Sequence, residues 1–287
     1  MNQGTHHEHQ HKNCENQYLP KLAVIQEVIQ ETRNIRRYLL QYVEEKDRNA
    51  PEPEGEFYEI TVFGAGEIAI SCPDHRKPGE PFEFCVKKAG KVTGAMFQMK
   101  EGDLVGLRGP FGRGFPYEDF VGHDVIIVGS GVGLAPVRPM ILDIMRHREE
   151  FGKVVIIGSA LTYEDLIYRE DMVEWAKVPG VQMKYALSHP TDKVDAHVGY
   201  INDLLPDLDL NWKETRAIVC ASPRRIKAVA KDLLKLGMQE VDIYTSLETH
   251  MRCGIGKCGH CKVGSKYMCV DGPVFTYQEM LSLPQEF

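Results

Sequence analysis

The sequence predicts an antiparallel β-barrel, then an α/β domain with a parallel sheet, and finally a small cysteine-rich lobe. Up to about Tyr117, short strands are separated by Gly and Pro, a pattern typical of a small antiparallel barrel. Apolar strands then alternate with amphipathic helices, which indicates a parallel α/β domain. Four of the eight cysteines fall within residues 253–269. The predicted limits are 1–20 for a tail, 21–118 for the barrel, 119–243 for the α/β domain and 244–287 for the lobe.

Length and composition are those of a globular protein with enough chain for two or three domains. The 287 residues are 43% hydrophobic and 26% charged, with a net charge of −7. This acidic balance argues against nucleic acid as a partner. No apolar run approaches the roughly 20 residues of a membrane helix, and no signal peptide opens the chain, so we expect a cytoplasmic protein with no membrane partner. In that compartment, cysteines are more often ligands or free thiols than disulfides.

The first twenty residues are polar and rich in histidine. His6, His7, His9 and His11 could bind a metal ion. No periodic apolar pattern surrounds them, and a segment of this composition cannot bury a core of its own. We therefore predict a disordered tail rather than a metal site.

The barrel is predicted to begin with residues 21–45, KLAVIQEVIQETRNIRRYLLQYVEE. Local propensity alone would accept a helix here. Alternation of apolar and polar residues on either side of ETR instead predicts two strands joined by a turn. Further short strands, bounded by Gly or Pro, are predicted in the segments EFYEITV, IAISC, PFEFCVKK and LVGLRGPFG.

The first strand of the α/β domain, DVIIV, leads into the glycine-rich turn GSGVGLAP. Gly129, Gly131 and Gly133 in such a turn let a phosphate approach the backbone N–H groups at the start of a helix. The spacing departs from G-x-G-x-x-G, and tight turns between a strand and a helix need glycine for geometric reasons alone. The position after the first strand nevertheless favours a nucleotide site.

The cysteines near the C-terminus follow the spacing C-x4-C-x2-C-x7-C, with Cys253, Cys258, Cys261 and Cys269 as the candidate ligands. The intervening glycines permit positive φ and leave backbone N–H groups free to point at sulfur. This is the plant-type [2Fe–2S] spacing. Structural zinc more often uses two separate C-x2-C pairs, and a redox dithiol would need only two of these thiols. The spacing therefore predicts a [2Fe–2S] cluster.

A nucleotide site and a [2Fe–2S] cluster in one chain imply a third cofactor. A nicotinamide gives up two electrons as a hydride, whereas the cluster accepts one electron at a time. Flavin is the usual converter between these two kinds of transfer. We therefore expect a flavin, and the barrel ahead of the nucleotide domain is the natural place for it.

Seven segments, in order along the chain, are similar to the ferredoxin–NADP reductase superfamily. They are GEFYEI, AISC, KKAGKVT, GDLVGLRGPFGRGF, GSGVGLAP, CASPRR and SLETHMRCGIGKCGHC. Within that superfamily, the sequence resembles the iron–sulfur flavoprotein electron-transfer subunits. These include the sulfhydrogenase gamma subunit, which it resembles most, and the corresponding subunits of anaerobic sulfite reductase and of dihydroorotate dehydrogenase. The resemblance covers residue 21 to the C-terminus.

The resemblance implies that the barrel binds FAD. The AIS stretch matches a segment that lies along the flavin ring, and Ser71 matches a catalytic serine that faces flavin N5. Ile68 stands where many relatives carry an arginine. The loop AGKVT matches the one that holds the FAD pyrophosphate. The implied FAD contacts are Ala69, Ile70, Ser71, Gly90, Val92 and Thr93.

The resemblance also implies a nicotinamide site across the α/β domain. Cys220 would lie near the nicotinamide C4 as a second catalytic residue, although a lone cysteine ending an apolar strand is more often part of the core. The two arginines that follow it could equally be surface charge. The implied dinucleotide contacts are Gly129, Gly131, Gly133, Ala135, Pro136, Cys220, Pro223 and Arg224.

The second strand of this domain, KVVIIG, bears on the choice between NAD and NADP. NADP binding normally needs a cation just after this strand, and Leu161 offers none. Glu164 and Asp165 would repel a 2′-phosphate. Arg224 or Arg225 could reach the same pocket and reverse the preference. We expect NAD(H), with NADP(H) as the alternative.

Together these features predict an oxidoreductase subunit that moves electrons between NAD(P)H and a partner redox enzyme through FAD and a [2Fe–2S] cluster. The resemblance implies partner subunits of a hydrogenase, a sulfite reductase or a heterodisulfide-reductase-like complex. Two alternatives stay open: a free-standing ferredoxin or flavin reductase, and a redox-sensing binding protein. An obligate subunit should expose an apolar patch around the cluster lobe.

Overall fold

The structure, a computed structural model, describes residues 16–50, 55–72 and 77–284. The predicted tail lies mostly outside these residues, as do its four histidines. Among the residues that are described, no helix is long and apolar enough to cross a membrane.

The N-terminal domain is a six-stranded antiparallel sheet with the strand order β4-β3-β6-β1-β2-β5. The two outer strands, β4 and β5, contact each other, so the sheet curls around its own core. The predicted antiparallel barrel domain is confirmed. Its strands and helices are β1 (Lys21–Thr32), β2 (Ile35–Tyr42), α1 (Glu45–Arg48), β3 (Phe57–Val62), β4 (Gly66–Ser71), β5 (Phe82–Lys87), α2 (Lys91–Met96) and β6 (Leu104–Phe111).

The segment that propensity would allow to be helical forms the hairpin β1–β2. Its strands pair from Ala23 with Tyr42 to Thr32 with Ile35, so the turn falls where the sequence places it. The inward side chain of Tyr38 is fully buried, and its hydroxyl donates to the carbonyl of Met96 at 3.1 Å. Burial of alternate residues therefore decides the structure over local propensity.

The second domain carries a seven-stranded sheet with the order β10-β9-β8-β7-β11-β12-β15. All neighbouring strands run parallel except the last pair. This confirms the predicted α/β domain. Its elements before the C-terminal lobe are β7 (Asp124–Ser130), α3 (Arg138–Arg146), β8 (Val154–Ala160), α4 (Arg169–Trp175), β9 (Val181–Leu187), β10 (His197–Val198), α5 (Ile201–Leu204), β11 (Thr215–Cys220), α6 (Pro223–Leu236) and β12 (Ile243–Ser246).

The C-terminal lobe returns to the sheet of the α/β domain. It contains β13 (Lys262–Val263), β14 (Lys266–Tyr267), β15 (Val274–Thr276) and α7 (Tyr277–Leu281). β15 pairs antiparallel with β12, which fixes the end of the lobe to the sheet edge. The domain limits at 118/119 and 243/244 remain predictions. Short 3₁₀ helices cover Tyr117–Asp119, Gly131–Leu134, Arg148–Glu150, Tyr163–Asp165, Leu205–Asp207 and Glu240–Asp242.

A buried polar contact joins the barrel to the α/β domain. The Glu31 carboxylate accepts hydrogen bonds from the Arg37 guanidinium and from the backbone N–H of Tyr168, the latter at 2.8 Å. Arg138 on α3 ion-pairs with Asp171 at 2.8 Å and with Glu83 of the barrel at 3.7 Å. These bonds hold the two domains side by side.

Candidate functional site

The four predicted cluster ligands come together in one loop. The Sγ atoms of Cys261 and Cys269 lie 3.3 Å apart. Cys258 is the neighbour of Cys253: its backbone N–H donates to Cys253 Sγ at 3.5 Å, and its side chain helps to lower the pKa of that thiol. Cys253, Cys261 and Cys269 are buried, whereas Cys258 is exposed. The four thiols therefore form two pairs, with one edge open to solvent.

Backbone N–H groups point at these sulfurs. Gly256 donates to Cys269 Sγ at 3.2 Å, and Lys257 and Cys258 donate to Cys253 Sγ at 3.4 and 3.5 Å. Burial alone would raise the pKa of the Cys253 thiol, but these N–H groups outweigh it and lower the pKa to about 6. The loop thus favours a thiolate at Cys253, which is the form that binds metal, whereas burial and the neighbouring Cys261 raise the pKa of the Cys269 thiol to about 12.

Glycine makes this loop conformation accessible. Gly254, Gly256 and Gly259 have φ values of 75°, 70° and 74°, in the left-handed region that other residues rarely adopt. These turns bring the backbone N–H groups to face the sulfur atoms. The described backbone therefore has the two features predicted from these glycines, which are positive φ values and N–H groups that point at sulfur.

The paired arrangement bears on which metal centre fits. Among the described residues, no three or more His, Cys, Asp or Glu side chains are grouped closely enough to hold a single metal ion. A [2Fe–2S] cluster takes two thiolates on each of its two irons. Two thiol pairs with donated N–H bonds suit that cluster better than one zinc ion held by four sulfurs.

The cluster loop packs directly on the end of β6. Arg108 donates hydrogen bonds to the carbonyl oxygens of Arg252 at 3.0 Å and of Cys253 at 2.9 Å. A Cβ on Gly254 would lie 2.5 Å from the ring of Phe111. On the same side, the N–H of Arg113 donates to the carbonyl of Gly272 at 2.6 Å. The lobe is therefore seated against the barrel as well as against the α/β sheet.

The residues predicted to lie along the flavin ring occupy the outer strand β4. Ala69, Ile70 and Ser71 are each half-buried. Ser71 is the last residue of β4 and pairs with Phe57 of β3. Beside them, the carbonyl of Glu56 accepts from the N–H of Cys72 at 2.8 Å. The roles of Ala69, Ile70 and Ser71 toward a flavin ring stay predictions.

The predicted pyrophosphate loop is organised by Thr93. Its hydroxyl accepts hydrogen bonds from the N–H groups of Ala89 at 2.9 Å and of Gly90 at 2.8 Å. No atom would lie within 4 Å of a Cβ on Gly90, and Val92 is half-buried. In this arrangement Thr93 holds the turn, and the Gly90 N–H is already paired. The roles of Gly90, Val92 and Thr93 toward FAD stay predictions.

The glycine turn after β7 approaches the end of β11. A Cβ on Gly133 would collide with the carbonyl oxygen of Cys220, and one on Gly129 would lie 2.5 Å from Leu134. Gly131 has a φ of 57°. The turn continues as a 3₁₀ helix and then Ala135 and Pro136, ahead of α3. Close approach between two strand ends is the geometry expected of a dinucleotide site.

Cys220 ends β11 and is buried. Burial, together with the nearby Glu56 and Glu248 carboxyls, raises the pKa of its thiol to about 12. The thiol is therefore neutral at physiological pH. It cannot act as a thiolate nucleophile, and its predicted place beside the nicotinamide ring stays a prediction.

The dinucleotide contacts predicted on α6 are exposed at its first turn, where Pro223 and Arg224 lie. The structure brings Arg225, rather than Arg224, to the glycine turn, because its guanidinium donates to the Ser130 hydroxyl. Near Leu161, Glu164 forms an ion pair with Lys193. The acidic repulsion predicted there is therefore offset by a lysine from a distant loop.

Two buried carboxyls on β3 and its N-terminal flank were not predicted. Glu56 Oε1 and both carboxyl oxygens of Glu59 are buried without a hydrogen-bond partner among the described residues. Burial raises the pKa of Glu56 well above its ordinary value. Burial and the neighbouring Glu67 raise the pKa of Glu59 to about 7. The only sequence signal was two glutamates within an apolar strand, GEFYEITV.

Two family models match the regions just described. Residues 127–231 match the oxidoreductase NAD-binding domain. Residues 248–281 match the iron–sulfur cluster binding domain of dihydroorotate dehydrogenase B. The α/β domain and the cysteine lobe are therefore each recognised independently.

Two sulfhydrogenase subunits from Pyrococcus furiosus are similar over most of the chain. Sulfhydrogenase 1 subunit gamma is 36% identical over 80% of this chain and 81% of its own. Sulfhydrogenase 2 subunit gamma is 32% identical over 93% of this chain and 98% of its own. The chain belongs to the sulfhydrogenase gamma-subunit family. A probable dihydroorotate dehydrogenase B electron-transfer subunit from Methanocella arvoryzae is 29% identical over 91% of this chain and 92% of its own.

Solved structures show the same fold at lower identity. A chain of the NADH-dependent reduced ferredoxin–NADP oxidoreductase superposes with a TM-score of 0.72 at 22% identity, over 91% of this chain and 89% of that one. A ferredoxin–NADP⁺ reductase from Neisseria gonorrhoeae gives a TM-score of 0.65 at 20% identity, over 78% and 96%. The predicted family resemblance and fold class are confirmed. So are the predictions of an electron-transfer subunit and of an NAD(P)H oxidoreductase. The matching family models support an iron–sulfur cluster and a nicotinamide cofactor, whereas FAD stays a prediction.

Proposed function

We propose that this chain moves electrons between NAD(H) and a partner redox subunit through FAD and a [2Fe–2S] cluster. One observation carries the proposal: the cysteine loop is seated on β6 of the barrel while β15 of the same lobe completes the α/β sheet. The cysteine lobe therefore contacts both the domain that would hold FAD and the sheet that would hold the dinucleotide. Bound FAD would exchange a hydride with the nicotinamide and single electrons with the cluster.

The chain's own residues position the reactants. Ser71 at the end of β4 would contact the flavin ring, and the neutral thiol of Cys220 at the end of β11 would contact the nicotinamide ring. Gly133 lets the dinucleotide turn approach that strand end. Hydride transfer depends on alignment and exclusion of water, so these residues need only hold the rings in place.

The proposed partner is another redox subunit, in keeping with relatives named as sulfhydrogenase and dihydroorotate dehydrogenase subunits. A hydrogenase is the partner that the most similar of these relatives favour, and a sulfite reductase or a heterodisulfide-reductase-like complex would use the same exit. That exit is the exposed edge of the cluster loop, where Cys258 is exposed and Val270 is 54% exposed. We also propose a cytoplasmic location, since none of the seven described cysteines forms a disulfide.

We propose NAD rather than NADP as the nicotinamide. Leu161 is exposed and uncharged at the end of β8, which favours a ribose without a 2′-phosphate. The opposing consideration is Lys193, whose ammonium lies beside Glu164 and over the ring of Tyr163. Arg225 is a second cation, at the glycine turn.

The test compares Cys258→Ser with the wild-type chain, both purified without oxygen and supplied with FAD and iron–sulfur precursors. The variant should lose the cluster absorption, keep the flavin and still be reduced by NADH. Electron transfer from NADH to a one-electron viologen dye should fall at least tenfold. Cys85→Ala, a buried thiol in the barrel, is the matched control and should keep the cluster.

Two results would contradict the proposal. If the wild-type protein contains zinc instead of iron, it holds no iron–sulfur cluster. If Cys258→Ser reduces the dye as fast as the wild type does, electrons do not leave the protein through the cluster. Running the same assay with NADPH measures the nicotinamide preference. A kcat/KM at least tenfold higher with NADPH would assign a 2′-phosphate contact to Lys193 or Arg225.

A further inference from the structure

We propose that Arg108 is a positioning residue for the cluster, which holds the loop at Cys253 and, with Glu67, sets the cluster's reduction potential. The inference rests on the proposed electron route and adds to it a residue outside the cysteine motif. Arg108 lies on β6 of the barrel, and its side chain is almost completely buried at 3% exposure.

Every N–H group of this guanidinium has an acceptor. Nη1 donates to the carbonyl oxygens of Cys253 at 2.9 Å and of Gln17 at 3.2 Å. Nη2 donates to the carbonyl oxygen of Arg252 at 3.0 Å and to Glu67 Oε2 at 2.8 Å. Nε donates to Glu67 Oε1 at 2.9 Å. A guanidinium has five N–H donors, and all five are used here, which lysine cannot reproduce.

Two of these bonds act on the cluster loop itself. The first cluster ligand is Cys253, and the carbonyl groups of Arg252 and Cys253 lie directly before and after its Cα atom in the backbone. Because Arg108 is anchored in a sheet strand, it fixes the position of that ligand relative to the barrel. The ring of Phe111, three residues further along β6, contacts the next residue of the loop, Gly254.

Glu67 gives the arginine its counter-charge. Its carboxylate forms a bidentate ion pair with Arg108 and accepts a hydrogen bond from the Thr61 hydroxyl at 2.8 Å. Burial opposes ionisation of Glu67, yet the hydrogen bonds from Arg108 and Thr61 lower its pKa below the ordinary value. A second carboxyl close to Arg108 is that of Glu59, which lies opposite Arg108 in the pairing of β3 with β6. Both carboxyl oxygens of Glu59 lack a hydrogen-bond partner in the described structure.

These charges matter because reduction makes the cluster more negative. A [2Fe–2S] cluster on four thiolates changes from 2− to 3− when it gains one electron, and the flavin that gives the electron is oxidised. No bond forms or breaks in this step. Buried charges and hydrogen bonds around such a cluster set its reduction potential. A cation beside Cys253 should favour the reduced state, and the Glu67 carboxylate should oppose it.

The experiment is an anaerobic redox titration of the full chain with FAD and cluster bound, at pH 8, followed by the electron paramagnetic resonance signal of the reduced cluster. Arg108→Met should lower the midpoint potential of the cluster, and Glu67→Gln should raise it. Each shift should be at least tenfold in the reduction equilibrium, which is 59 mV for one electron. The double variant should return toward the wild-type value.

Two further variants separate charge from structure. Arg108→Lys keeps the charge but loses the bonds to both carbonyls, so it should move the potential less than Arg108→Met while still altering the shape of the cluster signal. Arg113→Met removes an arginine that faces the lobe at Glu279, 3.9 Å away, and not the cluster loop. It should change the reduction equilibrium by less than twofold.

Opposite shifts in Arg108→Met and Glu67→Gln support the proposal, since a merely structural loss would move both variants in the same direction. Shifts of equal sign, or none beyond that of Arg113→Met, would overturn it. If Arg108→Met does not retain a cluster, Glu67→Gln decides alone: an upward shift of at least tenfold in the reduction equilibrium supports the proposal, and a smaller or downward shift overturns it. The failure of the electron route itself would appear differently, as a wild-type chain without a reducible cluster.

Discussion

The cluster loop and the predicted dinucleotide site are built in opposite ways. All four cluster thiols and the three glycines that shape their loop fall within residues 253–269. The predicted dinucleotide site combines the ends of β7 and β11, which are far apart in the chain. A local site depends on spacing and backbone turns, whereas an assembled site depends on the packing of strand ends. The two should therefore respond differently to the same kind of substitution.

The largest expected separation comes from Gly133→Ala. The new Cβ would collide with the carbonyl oxygen of Cys220, so one of the two strand ends must move. Because hydride transfer is sensitive to small misplacements, kcat/KM for NADH should fall about 100-fold. Iron content and the cluster signal should stay at wild-type levels. Steady-state dye reduction and iron analysis on the same sample measure both.

Gly94→Ala is the control for this substitution. A Cβ on Gly94 would meet no atom within 4 Å, and the residue lies inside α2 of the barrel. It should leave both readouts unchanged. If Gly133→Ala lost the cluster together with its NADH activity, the two sites would not be independent, and the comparison would be wrong.

The same contrast explains what the sequence could predict. The cysteine spacing and the alternating strand patterns are local, and from them the fold class, the cluster loop and the hairpin β1–β2 are predicted and confirmed. Arg108 and Arg252 are 144 residues apart, and no spacing rule connects them. Glu56 and Glu59 read as ordinary polar positions of a strand. Only the folded structure shows that their oxygens are buried without partners.

A smaller effect, on the stability of the lobe, is expected at the contact between the cluster loop and the barrel. Gly254→Ala places a Cβ 2.5 Å from the ring of Phe111 at a φ of 75°. Overpacking and the backbone strain together should destabilise the lobe by roughly 1–3 kcal/mol. The cluster should be lost at a lower temperature, which the decay of its visible absorption on heating measures.

Gly259→Ala separates the two causes. Its φ is 74°, but no atom would lie within 4 Å of its Cβ, so it carries the strain without the collision. It should shift the cluster-loss temperature less than Gly254→Ala does. Equal shifts would mean that the loop depends on its own turns alone and that the contact with Phe111 contributes nothing.

The smallest effect concerns Glu56, beside the assembled site. Burial raises the pKa of this carboxyl well above 4.5, its ordinary value, so the folded protein holds a proton that the unfolded chain releases. Stability from this proton is complete below pH 4.5 and is lost as the pH rises toward the raised pKa. Glu56→Gln keeps the shape without the titration. Between pH 5 and pH 6, the wild-type protein should lose about 1 kcal/mol relative to the variant.

Calorimetric melting at the two pH values measures this difference. For a domain of this size, 1 kcal/mol corresponds to a Tm change of roughly 2–4 °C. The Tm of Glu56→Gln minus the Tm of the wild type should therefore rise by about that much between pH 5 and pH 6.

Glu31→Gln is the matched comparison, because the buried Glu31 carboxylate accepts hydrogen bonds from Arg37 and from the backbone N–H of Tyr168. Losing the charge there should lower the Tm at pH 6, since it weakens two charge-assisted bonds. An unchanged Tm difference would mean that Glu56 titrates alike in the folded and the unfolded protein, which would contradict its raised pKa.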